Sequence, residues 1–143
     1  MKYILSLLIV LISLNLSFSQ NVKFEQDYKE ALNYAKKKNA LVLFYFINGD
    51  DMYTEENIED NVLKSSNFKR SIDSHLVIIK VDESGKSYDD KYNNRMLLAY
   101  NPQKEFPSIR VVKPNSSKKT SLLTSFNDKD IILFIDEINT LNN

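Results

Sequence analysis

Apolar positions fall into runs and stripes that divide the chain into alternating helices and strands. Tyr28, Ala31, Leu32 and Ala35 recur at i, i+3, i+4 and i+7, which predicts a helix from about Gln26 to Lys38. Lys36-Lys37-Lys38 fills its last turn, where cations suit the helix dipole, and Asn39 is the expected stop. Leu41 to Ile47 is an unbroken apolar run ending at Asn48-Gly49. Its length and its β-forming residues predict a strand buried on both faces, central and parallel to a neighbour. Asp50-Asp51 can cap a helix over Tyr53 to Lys64 with Ile58 and Val62 inward. Ser66 and Asn67 predict a break, followed by a short helical turn through Phe68 and Ile72.

Leu76 to Val81 is the second buried strand, and Asp82 to Lys86 a polar loop. A third helix is predicted around Tyr88 to Tyr100, with Tyr92, Met96 and Tyr100 spaced by four. It should stop at Asn101-Pro102, because proline disfavours helical geometry in the residue before it. Ser108 to Val112 and Thr120 to Thr124 read as two strands of a β-hairpin turned at Pro114-Asn115. The last helix is capped by Asn127, carries Asp128 and Asp130 in its first turn, and has an apolar stripe of Ile131, Phe134, Ile135 and Ile138. Two buried strands joined through a helix call for a parallel crossover. The predicted class is α/β: a three-layer sandwich with a mixed central sheet and helices on both faces.

Residues 1–19 stand apart from this pattern. Lys2 precedes an apolar run from Ile4 to Leu16, and Ser17-Phe18-Ser19 places small residues where a signal peptidase reads, so Gln20 is the expected mature N-terminus. The run is shorter than the roughly 20 residues that cross a bilayer. The expected organisation is a signal peptide over 1–19 and one domain over 20–143, exported to a periplasm or secreted. The chain contains no cysteine, which excludes thiol–disulfide chemistry and lipid attachment at cysteine. Lys+Arg and Asp+Glu both number 19, so no global field draws in nucleic acid or an acidic membrane. Gly49 and Gly85 are the only glycines, so there is no glycine-rich phosphate loop. No cofactor is expected.

Candidate chemistry is sparse. Asp50, Asp51, Glu55, Glu56, Glu59 and Asp60 offer oxygens to a hard cation, but lack the alternating spacing and internal glycine of a calcium loop. Acids in the first turns of a helix follow from the dipole alone, so no metal is expected. His75 is the only histidine; a general base needs an orienting partner and a nucleophile, and a capping or surface role is expected instead. No G-x-S-x-G motif is present, and Asn115-Ser116-Ser117, a glycosylation triplet, falls in a predicted turn.

Three segments, in this order and spacing, carry a family resemblance: Ala31 to Ile47, Val77-Ile78-Ile79-Lys80-Val81-Asp82, and Tyr100 to Pro114 with Phe106-Pro107-Ser108-Ile109 inside it. The chain resembles the thioredoxin-like superfamily, and its exported members in particular, from about Phe24 to Leu141. The resemblance implies a cis peptide bond before Pro107. It also sets Met52 and Glu55 on the two cysteine positions, with Tyr53-Thr54 between them, and Phe46 where classical thioredoxins bury an acid. Redox members pair the backbone beside that proline with an extended substrate peptide, a form of strand addition. The resemblance therefore implies a groove lined by Met52, Tyr53, Phe106 and Pro107. The expected function is non-catalytic: a protein- or peptide-binding or accessory protein of the cell envelope. The alternatives are a structural subunit of a larger assembly and, third, a non-redox enzyme using the acidic cluster.

Overall fold

The computed structural model describes residues 22–24, 28–49, 56, 58–72, 76–84 and 90–142. Residues 1–19, expected to be a signal peptide, and Asp50, Asp51, Met52, Tyr53, Glu55 and His75 lie outside these residues.

The apolar run becomes the centre of the molecule. Strand β2 (Leu41–Ile47) is buried at every position. It pairs in parallel with β3 (Leu76–Asp82) along one edge and antiparallel with β4 (Ser108–Val112) along the other. Side chains alternate between faces along a strand. Leu41, Leu43, Tyr45 and Ile47 accordingly join one apolar cluster, and Val42, Phe44 and Phe46 the other.

Helices α1 (Tyr28–Lys38) and α3 (Asp90–Tyr100) cover the second cluster through Ala31, Ala35 and Leu97. Phe44 stacks on Tyr100 with ring centroids 4.5 Å apart. On the opposite face lie α4 (Asp128–Asn142), a π-helical segment (Glu59–Leu63) and the short α2 (Ser66–Ser71). Their buried side chains are Ile131, Phe134, Ile135, Ile138, Leu141, Val62 and Phe68, joined by Ile58 just before the π-helical segment. The three-layer α/β sandwich with a mixed sheet is thus the observed architecture.

Four local expectations are corrected or refined. The first described element is strand β1 (Val22–Phe24), parallel to β3, where the pattern predicts none before the first helix. Val22-Lys23-Phe24 is too short to carry a period. With β1 the sheet has four strands in the order β1-β3-β2-β4.

The helical break falls at Ser65, not at Ser66-Asn67. Ser65 is extended, and its hydroxyl accepts from the Phe68 N–H at 3.2 Å, restarting the helix. The break has a physical reason. Val62 and Phe68 are six residues apart, about 240° round a continuous helix, yet both must face one cluster. The π-type bond from Lys64 N–H to the Glu59 carbonyl (2.8 Å) and the reset at Ser65 bring Phe68 back into phase.

The predicted strand Thr120–Thr124 is reduced to two isolated bridges, Ile109 with Leu123 and Val112 with Lys119. Arg110 and Val111 therefore face three residues, 120–122, which is a β-bulge. Thr120 stabilises it by accepting from the Val111 N–H through its hydroxyl at 3.1 Å.

The third helix is described from Asp90 onward, and its most buried positions are Asn93 and Leu97, with Tyr92 and Met96 flanking them. The last helix begins as expected, the Asp130 N–H donating to Asn127 Oδ1 at 3.0 Å.

Phe44 contacts both sheet neighbours and α3, so Phe44→Ala should lower unfolding free energy by about 3–5 kcal/mol. Leu98→Ala, at a side chain that is 71% exposed, should change it by less than about 0.5 kcal/mol. Urea denaturation of the two variants checks the pair.

Candidate functional site

The parallel strands β2 and β3 end at the same side of the sheet, and three chain segments meet there. The first is the turn after β2. Gly49 adopts φ +86°, a left-handed conformation, and an added Cβ would meet only Ser84 Cβ at 4.0 Å. Conformation rather than space therefore selects glycine at this position.

The second segment is the end of β3. Asp82 Oδ1 accepts from the N–H groups of Gly49 (3.0 Å) and Ser84 (2.9 Å). Burial raises the carboxyl's pKa, but these donors favour the charged form more strongly, and the net result lies below the usual value. Glu83 N–H donates to the Ile47 carbonyl at 3.0 Å. The turn that leads toward the motif positions is thus pinned to β3 by a carboxylate.

The third segment is the loop from Asn101 to Ser108. The Phe106–Pro107 peptide bond is cis, and Lys104 is left-handed at φ 57°. Asn101, completely buried, organises the loop: Nδ2 donates to the Glu105 carbonyl (2.9 Å), and Oδ1 accepts from the Glu105 N–H (3.0 Å). Ser108 Oγ donates to the same carbonyl at 2.7 Å. Lys104 forms an ion pair with Glu83, joining this loop to the end of β3. Arg110 caps the end of α3 by donating from Nη1 to the Tyr100 carbonyl, and burial lowers its pKa against the opposing pull of Glu137.

Phe46 pairs with Ser108 in the β2–β4 register. One residue further, Pro107 falls opposite Ile47, immediately before the turn at Asn48-Gly49. The side chain of Phe106 is half-buried and packs against the α1/α3 cluster with Tyr100. Among the described residues, no hydrogen bond uses the N–H or the C=O of Phe106.

A second buried polar cluster sits behind this end of the sheet. The Tyr28 hydroxyl lies 2.8 Å from the Lys80 carbonyl and within hydrogen-bonding reach of Asn93 Oδ1. Asn93 Nδ2 donates to the Asp82 carbonyl at 2.9 Å. It ties α1, α3 and β3 together.

Of the candidate groove residues, Phe106 and Pro107 are described and are adjacent, while Met52 and Tyr53 are not described, nor is the motif position Glu55. Phe46 is completely buried in hydrocarbon. In the acidic cluster, Lys64 pairs with Asp60 at 2.7 Å and Glu59 at 3.4 Å, and the hydrogen bond to Asp60, then that to Glu59, raises its pKa. Among the described residues no group of three His, Asp or Glu side chains could hold a metal ion, and no helix is long and apolar enough to cross a membrane. Sequence reasoning missed Asn93, Asn101 and the pinning role of Asp82. A polar residue four before Leu97 on the buried face of α3 was the available signal for Asn93. Asn101 offered none beyond Asn-Pro.

No family model and no curated protein matches the chain. Solved structures do resemble it. A thioredoxin from Thermus thermophilus superposes with a TM-score of 0.59 at 17% identity, covering 85% of this chain and 88% of that one. The DsbH oxidoreductase gives 0.54 at 21% identity, covering 85% and 86%. The C-terminal domain of Neisseria meningitidis DsbD in its reduced form gives 0.53 at 20%, covering 80% and 99%. At these identities the likeness establishes fold alone. The chain is thioredoxin-like in fold. Within that class it is a form without Cys-x-x-Cys, since no thiol occurs in its 143 residues and no mixed disulfide can form on it.

Two substitutions separate the two kinds of tie. Asn101→Ala removes the partner of the Glu105 N–H, whose carbonyl keeps the Ser108 hydroxyl, and should cost about 1–3 kcal/mol, equally at pH 3 and pH 7. Asp82→Asn acts differently. The Asp82 carboxyl titrates near 3.9 when unfolded and lower when folded, so its contribution is present above about pH 4 and is lost as pH falls through the folded value. The stability gap between wild type and Asp82→Asn should therefore shrink as pH is lowered from 6 to 2.5, read from urea midpoints.

Proposed function

We propose that this chain is an exported, non-catalytic thioredoxin-like protein that holds an extended segment of another protein by strand addition at Phe106. The observation that carries this reading is the main chain of Phe106, which no hydrogen bond among the described residues uses, beside a cis proline and at the end of β4. Strand addition uses main-chain donors and acceptors for affinity and side-chain pockets for choice, so it operates without sulfur. Met52, Tyr53 and Pro107 are the proposed neighbours of the bound segment, and Met52 and Glu55 the degenerate motif positions. The leader over residues 1–19 supports export to a periplasmic or extracellular space, where unfolded or extended partners are met.

A second reading, a subunit of a larger envelope assembly, has one observation in its favour: Ile132 and Leu133 are each 53% exposed on α4. That reading predicts self-association or co-purification lost with Ile132→Lys, Leu133→Lys, and unaffected at Phe106.

The probe for the first reading is a permanently unfolded polypeptide, reduced and carboxymethylated α-lactalbumin, together with short extended peptides derived from it. Binding should fall at least tenfold in the Tyr53→Ala, Phe106→Ala double variant. Methylating a single peptide N–H at the bound register should weaken binding by a similar factor while leaving the protein untouched. Equal binding by both proteins and by all N-methylated peptides contradicts strand addition.

A further inference from the structure

The opposite end of the sheet is a lysine pole. Segments 31–49 and 106–127 contain no Asp or Glu, and they contribute Lys36, Lys37, Lys38, Lys113, Lys118 and Lys119. The fold brings the two groups of lysines together. Val112 pairs with Val42 at the start of β2, so the turn after β4 lies beside the end of α1. Asn115 Nδ2 fastens the two by donating to the Lys36 carbonyl at 3.1 Å. The turn is held internally by Lys113 N–H to the Lys118 carbonyl (3.1 Å), and Lys118 N–H to Ser116 Oγ (3.1 Å).

Lys113 spends its ammonium group on the Leu141 carbonyl at 3.0 Å. Lys36, Lys37, Lys38, Lys118 and Lys119 are exposed, and among the described residues none of them takes part in an ion pair. In a chain whose formal charge is zero, five lysines with no ion pair among the described residues are gathered at one pole.

The shape and composition of the pole narrow its occupant. Residues 36–40 and 113–121 contain no aromatic side chain, so there is no platform on which bases could stack. The pole is a helix end beside a tight turn, whereas the clefts at Leu133 and at Ile132 lie along α4. A projecting cluster of flexible cations suits a broad anionic plane. We propose that this pole docks on a bilayer rich in anionic phospholipid headgroups. Each lysine near such a surface multiplies the partition by about fivefold. The seven residues of β2, at about 3.3 Å each, separate the pole from Phe106 by some 20 Å, leaving the peptide-binding end directed into solution. The inference stands independently of what Phe106 binds.

The test is co-sedimentation of the full chain with vesicles of phosphatidylethanolamine and about 30 mol% phosphatidylglycerol, set against pure phosphatidylcholine vesicles. The wild type should prefer the anionic vesicles, and raising salt from about 0.05 to about 0.5 M should reduce partition at least tenfold. Substituting Lys36, Lys37, Lys118 and Lys119 by Gln should abolish the preference. The same change at Lys29, Lys69, Lys91 and Lys129, also exposed, should leave most of it. The apolar run at residues 4–16 and Lys2 before it are common to all variants, so the reading is the change in anionic-over-neutral preference that each lysine set causes. Equal partition to both vesicles overturns the proposal, as does equal loss in the two lysine sets. Tighter binding to duplex DNA or polyglutamate than to the anionic vesicles at the same salt also overturns it. The salt dependence is measured on the wild type, so it holds even if a variant fails to fold.

Discussion

Strand β2 is hydrogen-bonded along both edges and buried on both faces, and the rest of the molecule is arranged to satisfy that condition. Each of its backbone groups needs a partner away from water, which commits β3 and β4 to its flanks. Each of its side chains needs apolar cover, which commits α1 and α3 to one face and α4, α2 and the π-helical segment to the other. The position of every candidate functional group follows. Pro107 stands where it does because β4 must align with β2, and the lysines gather because that alignment returns the chain to the end of α1.

The end of the sheet at Gly49 and Pro107 is held by oxygen and nitrogen. Asp82 binds two backbone N–H groups across the β2 and β3 ends, Asn101 closes the proline loop, and Lys104 pairs with Glu83 between them. A dithiol site needs a stabilised thiolate and a proton relay. This chain has no thiol, and the resemblance would set the fully buried Phe46 where classical thioredoxins bury an acid. What remains is a hydrogen-bonded frame around Phe106, and in the proposed strand addition a pre-organised edge would lose little conformational freedom.

The layers were legible in the sequence because they rest on continuous apolar signals. Leu41 to Ile47, Leu76 to Val81 and the stripe from Ile131 to Ile138 each exceed the length at which a period can be read. β1 was not legible, as three residues recruited by pairing with β3 leave no local trace. The reset at Ser65 and the bulge opposite Val111 were equally invisible, since both answer a phase mismatch that exists only once the neighbours are packed. Asn93 and Asn101 are polar residues whose partners are fixed by the folded loop. At the candidate site, the pairing of Phe106 with Pro107 was reached through resemblance, not through periodicity, and its significance rests on hydrogen bonds that no spacing encodes.

The proposed strand addition turns on one backbone amide. Hydrogen exchange resolved at single residues should show the Phe106 N–H exchanging freely in the isolated protein, while Ile109 and Val111, bonded within the sheet and to the bulge, are protected. Saturation with an unfolded polypeptide should slow exchange at Phe106 by at least an order of magnitude. A Phe106 amide already protected in the free protein, or unchanged at saturation, would contradict the claim that this edge is where the protein binds.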